Sequence, residues 1–443
     1  MSAYGKYFLA TQEENRPHEH NPAQVRKMSI GDVFLWLFGG LLPLGFIAFF
    51  FTRNRMLHRE VAGLGVFSRP GYYGWLSVIY MAAPAVAIAM MFSLLHMLHV
   101  YDAPLSMLTA ASLAAAALGL AASLRLINPD NNARLLVEKW ARGLMIVAAG
   151  ISVLTTIGIL LSVLFESIRF FNSVPLWEFI TGTKWEADTA FLAGAGRGDE
   201  GGAKPHFGAV PIFAGTFMIT GIAMLVAIPV GLFSAIYLSE YAKPRVRAAV
   251  KPMLEVLAGI PTVVYGFFAA ITISPLVVKG AEMFGLEADY TNALAPGLVM
   301  GVMIIPFISS LSEDVIHAVP QAMRDGSLAM GVGKAETIRH VVLPAAMPGI
   351  IAATLLAVSR AIGETMIVVM AAGLRPNLTA NPLEGVTTVT VKIVESLTGD
   401  QQFDSLLTLS AFALGLVLLF ITLVLNIISA LVVYRFKKQY ALT

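Results

Sequence analysis

The sequence contains no cysteine, and only 13% of its residues are charged, against roughly a quarter in soluble domains. Without cysteine the chain has no disulfides, no thiolate metal sites and no cysteine nucleophile. The low charge excludes an ordinary water-soluble domain. The formal net charge of +2 is too small to indicate a nucleic-acid partner.

Motifs for covalent chemistry are also missing. The nearest approach to a nucleotide phosphate loop is the segment at residues 331–334, where Leu328 replaces the first glycine and Ala335 replaces the hydroxyl residue. No Gly-x-Ser-x-Gly or His-Glu-x-x-His pattern is present. We therefore expect no catalytic residues, no metal site and no cofactor bound by this chain.

Long hydrophobic runs dominate the sequence instead, with a mean hydropathy of +0.74. Runs of about 20 apolar residues indicate membrane-crossing helices, because a helix satisfies its own backbone hydrogen bonds in lipid. The sequence predicts an all-α integral membrane protein of about nine such helices in the lipid bilayer. They fall at about residues 30–52, 75–99, 105–124, 144–165, 212–238, 256–277, 295–311, 345–372 and 407–434.

The positive charges predict the orientation of these helices. Arginine-rich loops at residues 53–69 and 125–142 are expected on the cytoplasmic side, as are the basic segments at 240–251 and 315–344 and the C-terminal end. This arrangement places residues 1–29 outside. The first run, interrupted by Gly39, Gly40 and Pro43, is either a kinked span or a re-entrant hairpin. We expect a span that is retained, since the polar segment before it is too long for a signal peptide.

Residues 319–344 interrupt the apolar pattern with a segment too long for a simple turn. Leu328, Ala329 and Val332 share a helical face, Gly331 breaks the pattern, and Pro344 is expected to set the next boundary. A short amphipathic helix outside the bilayer must bury its apolar face. We expect that it does so against another protein.

Two charges lie inside the run at residues 345–372. Arg360 is predicted roughly 20 Å from the cytoplasmic end of a continuous helix, where a charge costs roughly 2.5–3.5 kcal/mol. Glu364 follows at i+4 on the same predicted face. The pair is either a structural ion pair or part of a pathway in which Arg360 attracts an anion. Thr262, beside the predicted kink at Pro261, is a candidate hydrogen-bond donor to the same pathway.

The segment at residues 319–344 resembles the EAA loop of ABC-importer permeases in its spacing, although Asp-Gly-Ser stands where Glu-Ala-Ala is usual. Four further strings, at residues 207–216, 235–242, 257–267 and 360–366, resemble PstC-type permeases of phosphate ABC importers. The resemblance covers about residues 142–443. The positions that match the EAA pattern are Asp325, Gly326, Ser327, Gly331, Leu343 and Pro344.

The resemblance implies a six-helix permease core at residues 142–443, preceded by a three-helix extension at residues 1–141. It implies a multi-pass protein of the bacterial inner membrane that carries inorganic phosphate with a second permease of PstA type. The implied partners are two PstB-type ATPase subunits, which use ATP and Mg²⁺ and receive the 319–344 loop, and a periplasmic phosphate-binding protein. Arg360 and Glu364 match the charged pair that the family uses in translocation.

Several alternatives stay open at this point. A permease for another oxyanion, such as sulfate, molybdate or phosphonate, would share the same features. A secondary transporter working without ATP would have no use for an ATPase-docking loop. A membrane scaffold would tolerate neutral residues at Arg360 and Glu364.

Overall fold

The computed structural model describes residues 30–97, 105–187, 205–398 and 405–440, so the predicted external segment 1–29 lies outside the described residues. The regular elements of the described residues are helices, and a β-bridge joins Trp185 to Phe207. The all-α prediction is confirmed. In chain order the helices are α1 Ile30–Val61, α2 Pro70–Met97, α3 Leu105–Leu126, α4 Ala133–Ser173, α5 Leu176–Thr181, α6 Val210–Ile236, α7 Pro244–Gly259, α8 Thr262–Phe268, α9 Ser274–Met283, α10 Leu294–His317, α11 Gln321–Ala329, α12 Lys334–Thr337, α13 Leu343–Ile362, α14 Met366–Ala371, α15 Val389–Leu397 and α16 Leu406–Tyr440.

Within the described residues, 8 helical stretches are long and apolar enough to cross a membrane. Each overlaps one of the predicted runs. Helix α1 covers the remaining run but is not among the eight, so the count of nine is not confirmed. The eight stretches are Pro70–Ser93, Met107–Leu126, Ala133–Ser173, Val210–Tyr241, Thr262–Met283, Leu294–His317, Lys334–Ile362 and Leu406–Arg435.

Contacts divide the chain into two units, residues 1–155 and 156–443, with the division inside the unbroken helix α4. The predicted domain boundary at residue 141 stays a prediction. In the first unit α1, α2 and α3 pack on one another around Tyr73 and Leu76, which are fully buried. The Tyr73 hydroxyl lies 2.6 Å from the carbonyl oxygen of Pro129, so a polar tip inside the unit is satisfied.

The second unit is built on α6 and α10, which pack along much of their length. Glycines permit this approach, because a Cβ at Gly297 would lie 2.7 Å from Ile222 Cγ2. Buried apolar residues of both helices, among them Ile219, Met300 and Ile304, form the core of the unit. Helix α13 packs against α10 on one side and α16 on the other.

Three wide, π-helical turns interrupt the spans, at Tyr237–Tyr241, Ala269–Ile273 and Ile338–Val342. Each lies just before a proline: Pro244, Pro275 and Pro344 follow them in turn. Proline lacks an N–H and its ring clashes with the carbonyl of residue i−4, and a wide turn gives the helix room for both defects. The helical path therefore continues through Pro275 and Pro344.

The span predicted at residues 256–277 has different bounds in the structure. Residues 256–259 end α7, an amphipathic helix that buries none of its residues, and the crossing stretch begins at Thr262. The break predicted at Pro261 is present, since Ile260 and Pro261 have extended backbones between α7 and α8.

Candidate functional site

Arg360 lies in the last turn of α13, on an exposed face of the chain. Its guanidinium carbon stands 6.0 Å from the centroid of the Phe307 ring, which comes from α10. This distance is the outer limit of a cation–π contact, and such a contact does not neutralise the charge of Arg360. Among the described residues no carboxylate forms an ion pair with Arg360.

Glu364 does not continue the helix that carries Arg360. Helix α13 ends at Ile362, and Gly363 is its C-cap, so the predicted i+4 placement on one helical face is wrong. Glycine is the weakest helix former after proline, which explains the end of the helix at this point. In the structure, therefore, Arg360 and Glu364 do not belong to the same helix.

The Glu364 carboxylate turns to the start of α14. Its Oε1 accepts a hydrogen bond from the backbone N–H of Met366 at 3.1 Å and lies 3.5 Å from that of Ile367. These first N–H groups of a helix have no partner within the helix, and a carboxylate suits the positive end of the helix dipole. Glu364 thus holds the beginning of α14 in place beside the end of α13.

Hydrogen bonds made by α15 also fix the turn between α13 and α14. The Thr390 hydroxyl, in the first turn of α15, donates to the carbonyl oxygen of Glu364 at 2.8 Å. The Thr216 hydroxyl of α6 accepts from the backbone N–H of Val389 at 3.0 Å. The turn between α13 and α14 is therefore fixed to α15, and through α15 to α6.

Thr262 is the first residue of α8 and is partly buried. Helix α8 packs against α14, with Gly266 so close that a Cβ there would lie 2.9 Å from the carbonyl oxygen of Met366. In the described part of the chain, the structure gives Thr262 no hydrogen bond to Arg360 or Glu364. Thr262 lies on α8, which packs against α14, the helix that follows the turn after α13.

Gly259, at the end of α7, differs from Gly266 in that no atom lies within 4 Å of a Cβ built on it. Asn426, a polar residue of α16, lies with its Oδ1 3.4 Å from Ser359 Oγ, one residue before Arg360. This contact joins α13 to α16 at the residue before Arg360.

The predicted amphipathic helix outside the bilayer is α11. Asp325 accepts a hydrogen bond from Gln321 Nε2 at 3.0 Å, and the Ser327 hydroxyl lies 2.9 Å from Thr337 Oγ1. Gly326 lies inside this helix with open space around it. Large apolar side chains are exposed on and just after α11, at 40% for Met323, 47% for Leu328 and 83% for Met330.

Gly331 ends this helical segment with φ of +82°, a backbone conformation that side-chain-bearing residues rarely adopt. Leu343 and Pro344 do not mark a boundary, contrary to the prediction. They lie within the helical stretch Lys334–Ile362, because the wide turn at Ile338–Val342 accommodates the proline. One helix therefore runs from the polar loop to Arg360.

Sequence reasoning missed a largely buried ion pair between this loop and another segment. Arg324 of α11 pairs with Glu240, in the wide turn Tyr237–Tyr241 that follows α6, through Nη2 and Oε1 at 3.1 Å. Only 12% of the Arg324 side chain and 9% of the Glu240 side chain are exposed. The two residues stand 84 positions apart, so helical spacing gives no signal for the pair.

A second ionic group, which the sequence analysis did not predict, joins α7 to α10. Glu313 of α10 is 1% exposed and lies 2.7 Å from Arg247 Nη2 and 3.6 Å from Lys251 Nζ, both on α7. The group explains how α7, with its polar surface, stays attached to α10. A buried carboxylate needs such partners.

A sequence model of the family described as "Binding-protein-dependent transport system inner membrane component" matches residues 227–438. The probable ABC transporter permease protein YqgH of Bacillus subtilis is 31% identical over 297 residues, which is 67% of this chain and 90% of that protein. The phosphate transport system permease protein PstC 1 of Mycobacterium tuberculosis is 33% identical over 281 residues, 59% of this chain and 82% of that protein.

A solved bacterial ABC transporter involved in import of the acidic polysaccharide alginate aligns with a TM-score of 0.45 and 14% identity, over 68% of this chain and 98% of that chain. That likeness is too distant to bear on function.

Proposed function

The chain belongs to the binding-protein-dependent family of inner membrane transport components, and from that premise we propose that it forms, with a second permease, the pathway by which an ATP-driven importer carries inorganic phosphate. It is a multi-pass inner membrane protein and a permease subunit of an ABC importer. The proposal concerns the substrate, the partners and the residues.

The observation that carries the proposal is the free charge of Arg360. A guanidinium at the end of a membrane-crossing helix, resting on an aromatic ring with no carboxylate partner among the described residues, needs an anion to offset its cost in the membrane. Phosphate offers several oxygens to the planar fork of an arginine. The preceding residue, Ser359, has its hydroxyl 3.4 Å from Asn426 Oδ1 of α16.

The name of the mycobacterial relative favours phosphate over other oxyanions. The partners are then a PstA-type permease, two PstB-type ATPase subunits that bind ATP and Mg²⁺, and a periplasmic phosphate-binding protein that delivers the anion. Glu364 and Thr262 belong to the same pathway. Glu364 fixes α14 in place, and Thr262 lies on the adjoining helix α8.

Helix α11 is the part that docks on the ATPase, since its exposed apolar residues require a burial partner. Asp325, Gly326, Ser327 and Gly331 shape this element, and Leu343 and Pro344 belong to the helix behind it. That stretch, Lys334–Ile362, has 29 residues and so spans about 43 Å at 1.5 Å per residue. Movement of the docked loop thereby reaches Arg360 through one continuous helix.

Uptake of radiolabelled phosphate by the reconstituted complex tests the proposal. Vesicles containing both permeases, the ATPase and the binding protein should accumulate phosphate only when ATP is present in the compartment that the ATPase faces. Sulfate, molybdate or phosphonate in excess should not compete. Competition by one of these anions would assign the permease to that oxyanion, and accumulation in vesicles lacking the ATPase would show a secondary transporter.

A further inference from the structure

Arg324 makes more contacts than an ordinary surface arginine. Its Nη2 donates to the carbonyl oxygen of Ile316 at 2.7 Å, and its Nη1 donates to that of Val319. Its Nε and Nη2 also lie 3.3 and 3.1 Å from Glu240 Oε1. Three separate acceptors thus surround one guanidinium, most of which is shielded from water.

These acceptors belong to the ends of two membrane-crossing helices. Ile316 lies in the last turn of α10 and Val319 just beyond it, where carbonyl groups lack the regular i+4 partner of a helix. The Ile316 carbonyl also accepts from the backbone N–H of Val319 at 3.3 Å. Glu240 lies in the wide turn that closes the span Val210–Tyr241. Helices α6 and α10 are the pair on which the second unit is built, so Arg324 ties α11 to the ends of both helices.

The other contacts that hold α11 are either neutral or made by a residue outside this helix. Ser327 joins it to Thr337 through a neutral hydrogen bond, which reaches the helix that carries Arg360. Lys334 contacts the Glu240 backbone carbonyl and the Tyr241 ring, but it lies after Gly331 and not on α11. Among the residues that the structure describes, the charged connection between α11 and the membrane helices is therefore the one made by Arg324.

We propose that Arg324 is a positioning residue for energy coupling: by joining α11 to the ends of α6 and α10, it makes the docked helix and the membrane helices move as one body. The inference rests on the proposed function, in which α11 docks on the ATPase. Without this tie, the docked helix can follow the ATPase while the membrane helices stay behind. Hydrolysis then proceeds with little transport.

The test compares Arg324→Met and Arg324→Lys with the unmodified chain in vesicles that contain the whole importer. The quantity measured is radiolabelled phosphate taken up per ATP hydrolysed by the assembled complex. We expect about a tenfold fall in this ratio for Arg324→Met. Lysine keeps the charge but cannot serve three acceptors in a fork, so Arg324→Lys should lie between the two.

Arg247→Met is the matched control, because it breaks an ion pair with the buried Glu313 without touching α11. It should lower the amount of assembled complex and leave the ratio unchanged. If Arg324→Met fails to assemble, Arg324→Lys decides the question. A wild-type ratio in the Arg324 variants that assemble would overturn the inference, since only a structural role would remain. Absence of ATP-dependent uptake in the unmodified importer would instead overturn the proposed function.

Discussion

At the scale of residues, the sequence identifies the important charges but not their contacts. Arg360 and Glu364 were expected on one helical face, and their spacing justified that expectation. The helix ends between them at Gly363 instead, and each side chain has its own partner, Phe307 for Arg360 and the start of α14 for Glu364. Where a helix ends depends on packing and on competing hydrogen bonds, which spacing alone does not contain.

The capping contact of Glu364 makes a prediction that separates it from an ion pair. Glu364→Gln keeps an oxygen acceptor for the N–H of Met366, whereas Glu364→Ala removes it. Loss of a helix N-terminal cap costs about 0.5–2 kcal/mol. We expect Glu364→Ala to lower the thermal stability of the purified complex and Glu364→Gln to lower it much less. Equal losses in the two variants would show that the negative charge, and not the cap, stabilises the fold.

At the scale of elements, hydropathy locates the spans well because burial in lipid demands about 20 apolar residues. Eight predicted runs coincide with crossing stretches. Hydropathy does not show where a helix bends, so the start of the crossing stretch at Thr262 and the unbroken path through Pro344 were missed. The short helices α14 and α15 lie below the length that periodicity resolves.

The packing of α8 against α14 predicts different effects for two glycines of one sequence region. A Cβ at Gly266 would press on the Met366 carbonyl, whereas one at Gly259 would meet no atom of this chain. Overpacking typically costs about 1–3 kcal/mol. Gly266→Ala should therefore reduce thermal stability and phosphate uptake, and Gly259→Ala should reduce neither. A loss of uptake in Gly259→Ala would mean that α7 packs against the second permease at that position.

The two glycines of the docking segment should respond with opposite signs. Gly326 lies inside α11 with open space around it, so Gly326→Ala should stabilise the helix by about 1 kcal/mol. Gly331 has φ of +82°, and alanine there costs about 1–2 kcal/mol. The affinity of the ATPase for the permease pair, measured by titration, should stay equal or rise for Gly326→Ala and fall for Gly331→Ala. Equal affinity for both variants would remove this segment from the docking surface.

At the scale of the whole molecule, one helical stretch connects the two regions for which a function is proposed, α11 and the surroundings of Arg360. It begins at Lys334, beside the docking helix, and ends at Ile362, just past Arg360. The sequence suggested both regions but separated them at Pro344, because a proline usually marks a helix boundary. The ion pairs Arg324–Glu240 and Arg247–Glu313 join segments distant in sequence, and they became visible only in the folded chain.

Arg360 is proposed to face an anion in transit while partner subunits hydrolyse ATP. Phosphate uptake and ATP hydrolysis, measured together in reconstituted importers, test this role most directly. Arg360→Met should assemble and hydrolyse ATP but lose uptake, and the double variant Arg360→Met with Glu364→Gln should remain inactive in uptake. Restored phosphate uptake in that double variant would contradict this role of Arg360, because it would show that transport does not need a positive charge at residue 360.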